Sequence, residues 1–119
     1  NWLVTILDKL NRGEIVKLVD DTYWQPSLAW DVAQAIWRLV ELGKQGVYHV
    51  ASDDRMSLYI FGLKIAKEWG YDIGLIEPIA SSKLNLKAIR PVDTTFKLDK
   101  IHELGIKLRS VEEGLKTLK

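Results

Sequence analysis

The 119-residue sequence is 47% hydrophobic and 28% charged, with 17 basic against 16 acidic side chains and no cysteine. A chain of this size can bury one core, is too apolar for a disordered tail, and has no run of about 18 apolar residues to span a membrane. The missing thiols exclude disulfides, cysteine nucleophiles and thiolate metal sites, and a net charge of +1 does not mark a nucleic-acid binder.

These features point to a soluble, cytoplasmic globular piece with neither a nucleic-acid nor a membrane partner. No N-terminal segment reads as a signal peptide. The charge is unevenly divided, with a net of −3 over residues 1–80 and +4 over residues 81–119. A local anion site in the C-terminal third is compatible with that split. The chain opens on Asn1 rather than Met and enters a helical pattern at once. That reads either as trimming or as a fragment of a longer protein.

Trp2, Leu3, Ile6, Leu7 and Leu10 recur at helical spacing, with Gly13 as a stop. Ile15, Val16, Leu18 and Val19 form a short β-favouring run ended by Asp20 and Asp21. Thr22 to Ser27 reads as a loop. Ser27 is the expected N-cap of a helix whose apolar stripe is Val32, Ala35, Ile36, Leu39 and Val40, closed by Gly43. Val47–Ala51 is apolar and β-branched and reads as a buried strand that needs neighbours. Ser57 caps a helix over 58–69, stopped by Gly70. Leu75–Ile79 reads as another strand, and residues 80–97 are ambiguous. Leu98–Leu104 is a short helix ended by Gly105, and Ser110-Val111-Glu112-Glu113 is a capping box for the last one. Strands alternating with helices argue an α/β fold, several helices with about three short strands. Three short strands make a poor self-sufficient sheet, a second hint of a missing partner domain.

No Gly-x-Gly-x-x-Gly turn or phosphate loop occurs, and the two histidines lack metal-ligand spacing. His49, inside the apolar run, reads as a hydrogen-bonded structural side chain; His102, beside Glu103, reads as solvated. Asp20 and Asp21 read as turning the chain and capping loop amides, against an acid–base pair. Asp53 and Asp54 read as helix-start charges. Trp30, Trp37 and Trp69 read as core or interface packing. Trp24, in a loop with Tyr23 and Pro26, can instead stack on a sugar or base, or pack on a missing domain. In Arg90-Pro91-Val92-Asp93, Pro91 keeps Arg90 extended, and a fixed guanidinium in a basic stretch suits phosphate. The alternative is a surface pair with Asp93.

Four stretches, taken together, resemble extended short-chain dehydrogenase/reductases acting on nucleotide sugars, specifically the dTDP-4-dehydrorhamnose reductase branch. Asn1-Trp2-Leu3-Val4-Thr5-Ile6-Leu7 is similar to that family's Asn-Phe-Val-x-Thr-Met/Ile-Leu helix. Val19-Asp20-Asp21-Thr22-Tyr23-Trp24-Gln25-Pro26-Ser27 resembles its Val-Asp-Asp-Gln-x-Gly-x-Pro-Thr loop, with departures at Thr22, Trp24 and Ser27. Gly46-Val47-Tyr48-His49-Val50 resembles Gly-x-Tyr-His-Leu. Arg90-Pro91-Val92-Asp93, then Lys100 and Gly105-Ile106-Lys107, resembles Arg-Pro-x-Asp…Lys…Leu-Gly-Ile.

The resemblance implies that residues 1–119 are the substrate-binding C-terminal portion of a Rossmann-type reductase whose N-terminal half is absent. Val47–Ala51 would complete the missing sheet. The family reduces with NADP or NAD and a Tyr-x-x-x-Lys pair. Here Ser27, Ser52, Leu63 and Leu75 follow the four tyrosines at that spacing, so no catalytic, cofactor or metal residue is expected in this chain. The substrate side carries over: Asn1 and Arg90 toward the diphosphate, Asp93 orienting Arg90, and Thr22, Tyr23, Gln25 and Ser27 lining the nucleotide-sugar site. The implied partners are a nucleotide sugar, the absent half and a second copy in a homodimer. Three alternatives stay open. One is a nucleotide-sugar epimerase or dehydratase. Another is a non-catalytic subunit resembling the methionine adenosyltransferase β subunit. The last is an independent α/β interaction domain.

Overall fold

A computed structural model describes all 119 residues. The chain forms two compact units: residues 1–24, 56–94 and Lys119 make the first, and residues 25–55 and 95–118 the second.

In the first unit, α1 (Trp2–Asn11) buries Ile6 and Leu10 one turn apart, and Asn1 caps it by accepting from the Leu3 amide at 3.0 Å. β1 (Val16–Val19) pairs in parallel with β4 (Ile76–Ile79), Val16 beside Ile76 through Val19 beside Ile79. α3 (Leu58–Trp69) lies between them in sequence and packs on both, as well as on α1. Its start and stop follow the sequence: Ser57 Oγ accepts from the Ile60 amide at 3.2 Å, and Gly70 turns the chain at φ +75°. Val16 and Leu18 are 3% and 2% exposed, packed on the side of the sheet that α3 covers. The close approach uses the bare backbone of Gly62, where any Cβ would overlap Leu18 Cδ1 and stand 3.4 Å from Ile76 Cγ2. β2 (Tyr23–Trp24) pairs antiparallel with β3 (Met56–Ser57), and Tyr23 makes a parallel bridge to Asp93. These two-residue strands are too short to leave a periodic signal in sequence. Short 3₁₀ turns cover Ile73–Leu75 and Ser81–Lys83.

The second unit contains no strand. α2 (Ala29–Glu41) and α4 (Asp99–His102) contribute to a core of Ala35, Ala51, Leu98, Ile101, Ile106 and Leu108, and α5 (Val111–Leu118) buries Val111 and Leu115. Polar contacts hold its connections. The Arg109 guanidinium and amide donate to the Asp31 carboxylate. The Val111 amide donates to Asp54 Oδ2 at 2.6 Å. The capping box forms as expected, with the Ser110 amide donating to Glu113 Oε2 at 2.8 Å and the Glu113 amide donating back to Ser110 Oγ at 3.3 Å. The Ser110 hydroxyl also holds the Glu113 carboxyl below its ordinary pKa.

Several sequence expectations need correction here. Val47–Ala51 is not a buried strand: Val47 is 74% exposed and the segment joins no ladder, because its unit offers no strand edge. The Val47 carbonyl accepts from Lys100 Nζ at 2.7 Å, and that ammonium lies 3.9 Å from the Tyr48 ring centre. His49 is exposed and stacks on Phe96 with ring centres 4.5 Å apart. His102 is not simply solvated, since its Nε2 lies 3.1 Å from Asp53 Oδ1. Ser27 does not cap α2. Its hydroxyl donates to the Gln25 carbonyl and accepts from the Ser52 amide, while Leu28 occupies the cap position. Asp54 does serve a helix start, but that of α5. Of core or interface packing, Trp30 and Trp37 do not take the first, since both are exposed on α2.

Gly62→Ala should lower stability by about 1–3 kcal/mol, because Leu18 is buried and cannot yield cheaply; a denaturant titration reads this directly. The hydrogen-bonded Arg109 holds the Asp31 carboxyl below its ordinary value, outweighing the opposing effect of burial. A carboxyl depressed on folding stabilises above its unfolded value of about 3.9 and loses that contribution as pH falls further. Asp31→Asn should therefore lower stability at neutral pH and flatten the acid limb of a melting profile, with the two proteins converging at low pH.

Candidate functional site

The alternation of β1 builds both the core and the site. With Val16 and Leu18 turned inward, Lys17 and Val19 face the opposite side, where they line a cavity of about 750 Å³ in the first unit. The chain leaving β1 continues the lining with Thr22, Tyr23 and Trp24, and α1 and α3 add Trp2 and Leu58 from their first positions. The Trp24 ring is fixed edge-on against Phe61, with centres 5.6 Å apart and planes at 80°.

The stretch from Ser81 to Thr94 supplies the rest of the lining and is tied at both ends to the loop after β1. At its start, Asp21 accepts from the Ser81 amide at 2.9 Å and from the Ser81 hydroxyl at 3.0 Å. Asp21 therefore does what the sequence reading gave the pair, turning chain and capping a loop amide. At its end, the Tyr23 amide donates to the Val92 carbonyl at 2.8 Å, and the Thr94 amide and hydroxyl donate to the Tyr23 carbonyl at 3.0 and 3.2 Å. Between these anchors Leu84, Leu86, Ile89, Arg90 and Pro91 face the cavity.

The electrostatics are one-sided. Two cations, Lys17 and Arg90, line the cavity, and no carboxylate does. Neither cation belongs to an ion pair. Aromatic faces at Trp2, Tyr23 and Trp24 and hydroxyls at Thr22, Ser81, Ser82 and Thr94 complete the walls. Such a site can stack a planar ring and neutralise an anion. No group of three His, Cys, Asp or Glu side chains could hold a metal ion.

Of the residues singled out from sequence, the fold brings Thr22, Tyr23 and Arg90 together in this cavity. Asn1 caps α1 next to the lining residue Trp2. Asp93 lies in the backbone bridge to Tyr23, just after Arg90 and Pro91. Gln25 and Ser27 lie in the second unit. The Gln25 amide group accepts from the Phe96 amide at 2.7 Å and donates to its carbonyl at 3.4 Å, and Ser27 binds Ser52. Lys17, Ser81 and Ser82 join the lining without belonging to any of the four motifs. For Lys17 a signal existed: it interrupts the apolar run of β1 at the position that period-two alternation sends away from the core.

Residues 1–119 match the family model described as the RmlD substrate binding domain. A probable low-salt glycan biosynthesis reductase of Haloferax volcanii is 32% identical over 114 residues, 95% of this chain and 38% of that protein. A dTDP-4-keto-6-deoxy-D-glucose reductase of Streptomyces niveus is 32% identical over 93 residues, 78% of this chain and 32% of that protein. The crystal structure of dTDP-4-dehydrorhamnose reductase from Bacillus anthracis in complex with NADP superposes with a TM-score of 0.90 at 24% identity, covering 98% of this chain and 42% of the other. The chain thus spans well under half the length of these relatives. The α/β fold seen here is that of the corresponding part of such a reductase.

Proposed function

The chain belongs to the RmlD substrate binding domain family, and from that premise we propose that it holds the nucleotide sugar for an NADPH- or NADH-dependent reductase of 4-keto nucleotide sugars, as in dTDP-L-rhamnose synthesis. The observation that carries this reading is the cavity: unpaired cations, no carboxylate, and aromatic walls suit a diphosphate joined to a base and a sugar. The name of the Streptomyces niveus relative, a dTDP-4-keto-6-deoxy-D-glucose reductase, supports the same substrate class.

In this reading Arg90 grips the diphosphate with paired guanidinium donors. Pro91 keeps its backbone extended, and the bridge at Asp93 fixes the end of its segment, so Asp93 orients Arg90 through the main chain. Tyr23 and Trp24 offer ring faces to base or sugar, and Thr22 a hydroxyl to a sugar oxygen. Asn1 sets the start of α1, so that Trp2 reaches the cavity. Gln25 and Ser27 shape the loop that follows instead of touching substrate.

The residues of this chain do not fit a dinucleotide cofactor. It has no glycine-rich strand–helix turn and no Tyr-x-x-x-Lys pair. Cofactor binding and hydride transfer therefore fall to the remainder of a longer protein of cytoplasmic, soluble type. The exposed apolar stripe of α2, with Trp30, Ile36, Trp37 and Val40, is the surface this reading gives to that remainder or to a second copy.

Thymidine diphosphate titrated into the chain should quench tryptophan fluorescence saturably, since Trp2 and Trp24 line the cavity. Arg90→Ala should weaken that binding by roughly ten- to a hundredfold, the effect of losing a charged hydrogen-bonding group. Equal affinity of wild type and variant would remove Arg90 from the site.

A further inference from the structure

We propose that Lys17 is a second anion-binding side chain of this cavity, gripping the diphosphate together with Arg90. The inference rests on the substrate reading above and deepens it. β1 leaves Lys17 no other place to go. Val16 and Leu18 are buried on the α3 side, so the intervening side chain must project to the cavity face. Lys17 is exposed on that face and belongs to no ion pair within the protein. Glu77 stands beside it in register on β4, yet the two form no ion pair, and Glu77 does not line the cavity.

The two cations come from different elements that line the same cavity. Lys17 stands on the rigid sheet, and Arg90 on the tethered 81–94 segment. A diphosphate presents charge on two phosphoryl groups, and two cations lining one cavity match it better than a monophosphate or an uncharged nucleoside. The division of labour follows from the side chains. Arg90 supplies directional paired donors; Lys17 supplies a mobile point charge that reaches from a fixed strand.

The experiment compares thymidine diphosphate and thymidine binding to the full chain carrying Lys17→Gln, Lys17→Arg or Arg90→Ala. Lys17 is exposed, so thermal melts of its variants should match the wild type. Lys17→Gln should weaken diphosphate binding about tenfold, leave thymidine binding unchanged and reduce the salt dependence of diphosphate affinity. Lys17→Arg should restore most of the loss. If Lys17→Gln binds the diphosphate like wild type while Arg90→Ala does not, the Lys17 assignment falls and the substrate reading stands. If Lys17→Gln loses thymidine as strongly as the diphosphate, Lys17 acts as a wall and not as an anion ligand, which also overturns it. If the wild type shows no saturable diphosphate binding, both readings fall together.

Discussion

Four residues of β1 lie in register beside four of β4, and α3 closes over one side of that pair through the bare backbone of Gly62. Much of the first unit follows from this contact. Burying Val16 and Leu18 under the helix removes apolar surface worth about 1.5–3 kcal/mol per side chain and fixes which face of the strand looks inward. Because side chains alternate along a strand, the same constraint presents Lys17 and Val19 on the other face. The core and the cavity are therefore two consequences of one register. A slip by a single residue would bury the lysine and expose the leucine together.

The rest of the cavity hangs from the loop that leaves β1. Asp21 holds the beginning of the 81–94 segment, and the Tyr23 main chain holds its end. Arg90 sits near the second anchor and is kept extended by Pro91. The wall that carries the guanidinium is therefore positioned by the same short stretch that supplies Tyr23 and Trp24. A segment with little regular structure can present a charge reproducibly when both its ends are hydrogen-bonded to the short stretch that follows β1. The second unit is assembled by other means: a small aliphatic core and charged or capping hydrogen bonds at Asp31, Asp54 and Ser110.

Features set by neighbouring residues were legible in the sequence. Ser57 and Gly70 bound α3, Ser110 and Glu113 open α5, and two β-branched runs become β1 and β4. These depend on backbone donors a few residues away and on local side-chain preference. Expectations that needed a distant partner fared worse. Val47–Ala51 has the composition of a strand but no edge to join, so it lies outside any ladder and partly exposed. Ser27 has the composition of a helix cap, but its hydroxyl is engaged with the Ser52 amide within the second unit. His49 finds the Phe96 ring, which no spacing rule would have paired with it.

The sequence by itself determined the class of fold, most helix limits, the resemblance carried by four motifs and the presence of an extended, phosphate-suited Arg90. Only the tertiary structure decided that Arg90 faces a cavity, that Lys17 and three aromatic rings share it, and that no carboxylate does. The reason is physical: helix caps and strand composition act over a few residues of chain. The charge and shape of a cavity are sums over side chains far apart in sequence, brought together only once β1 has paired with β4 and the 81–94 segment has been tied at both ends.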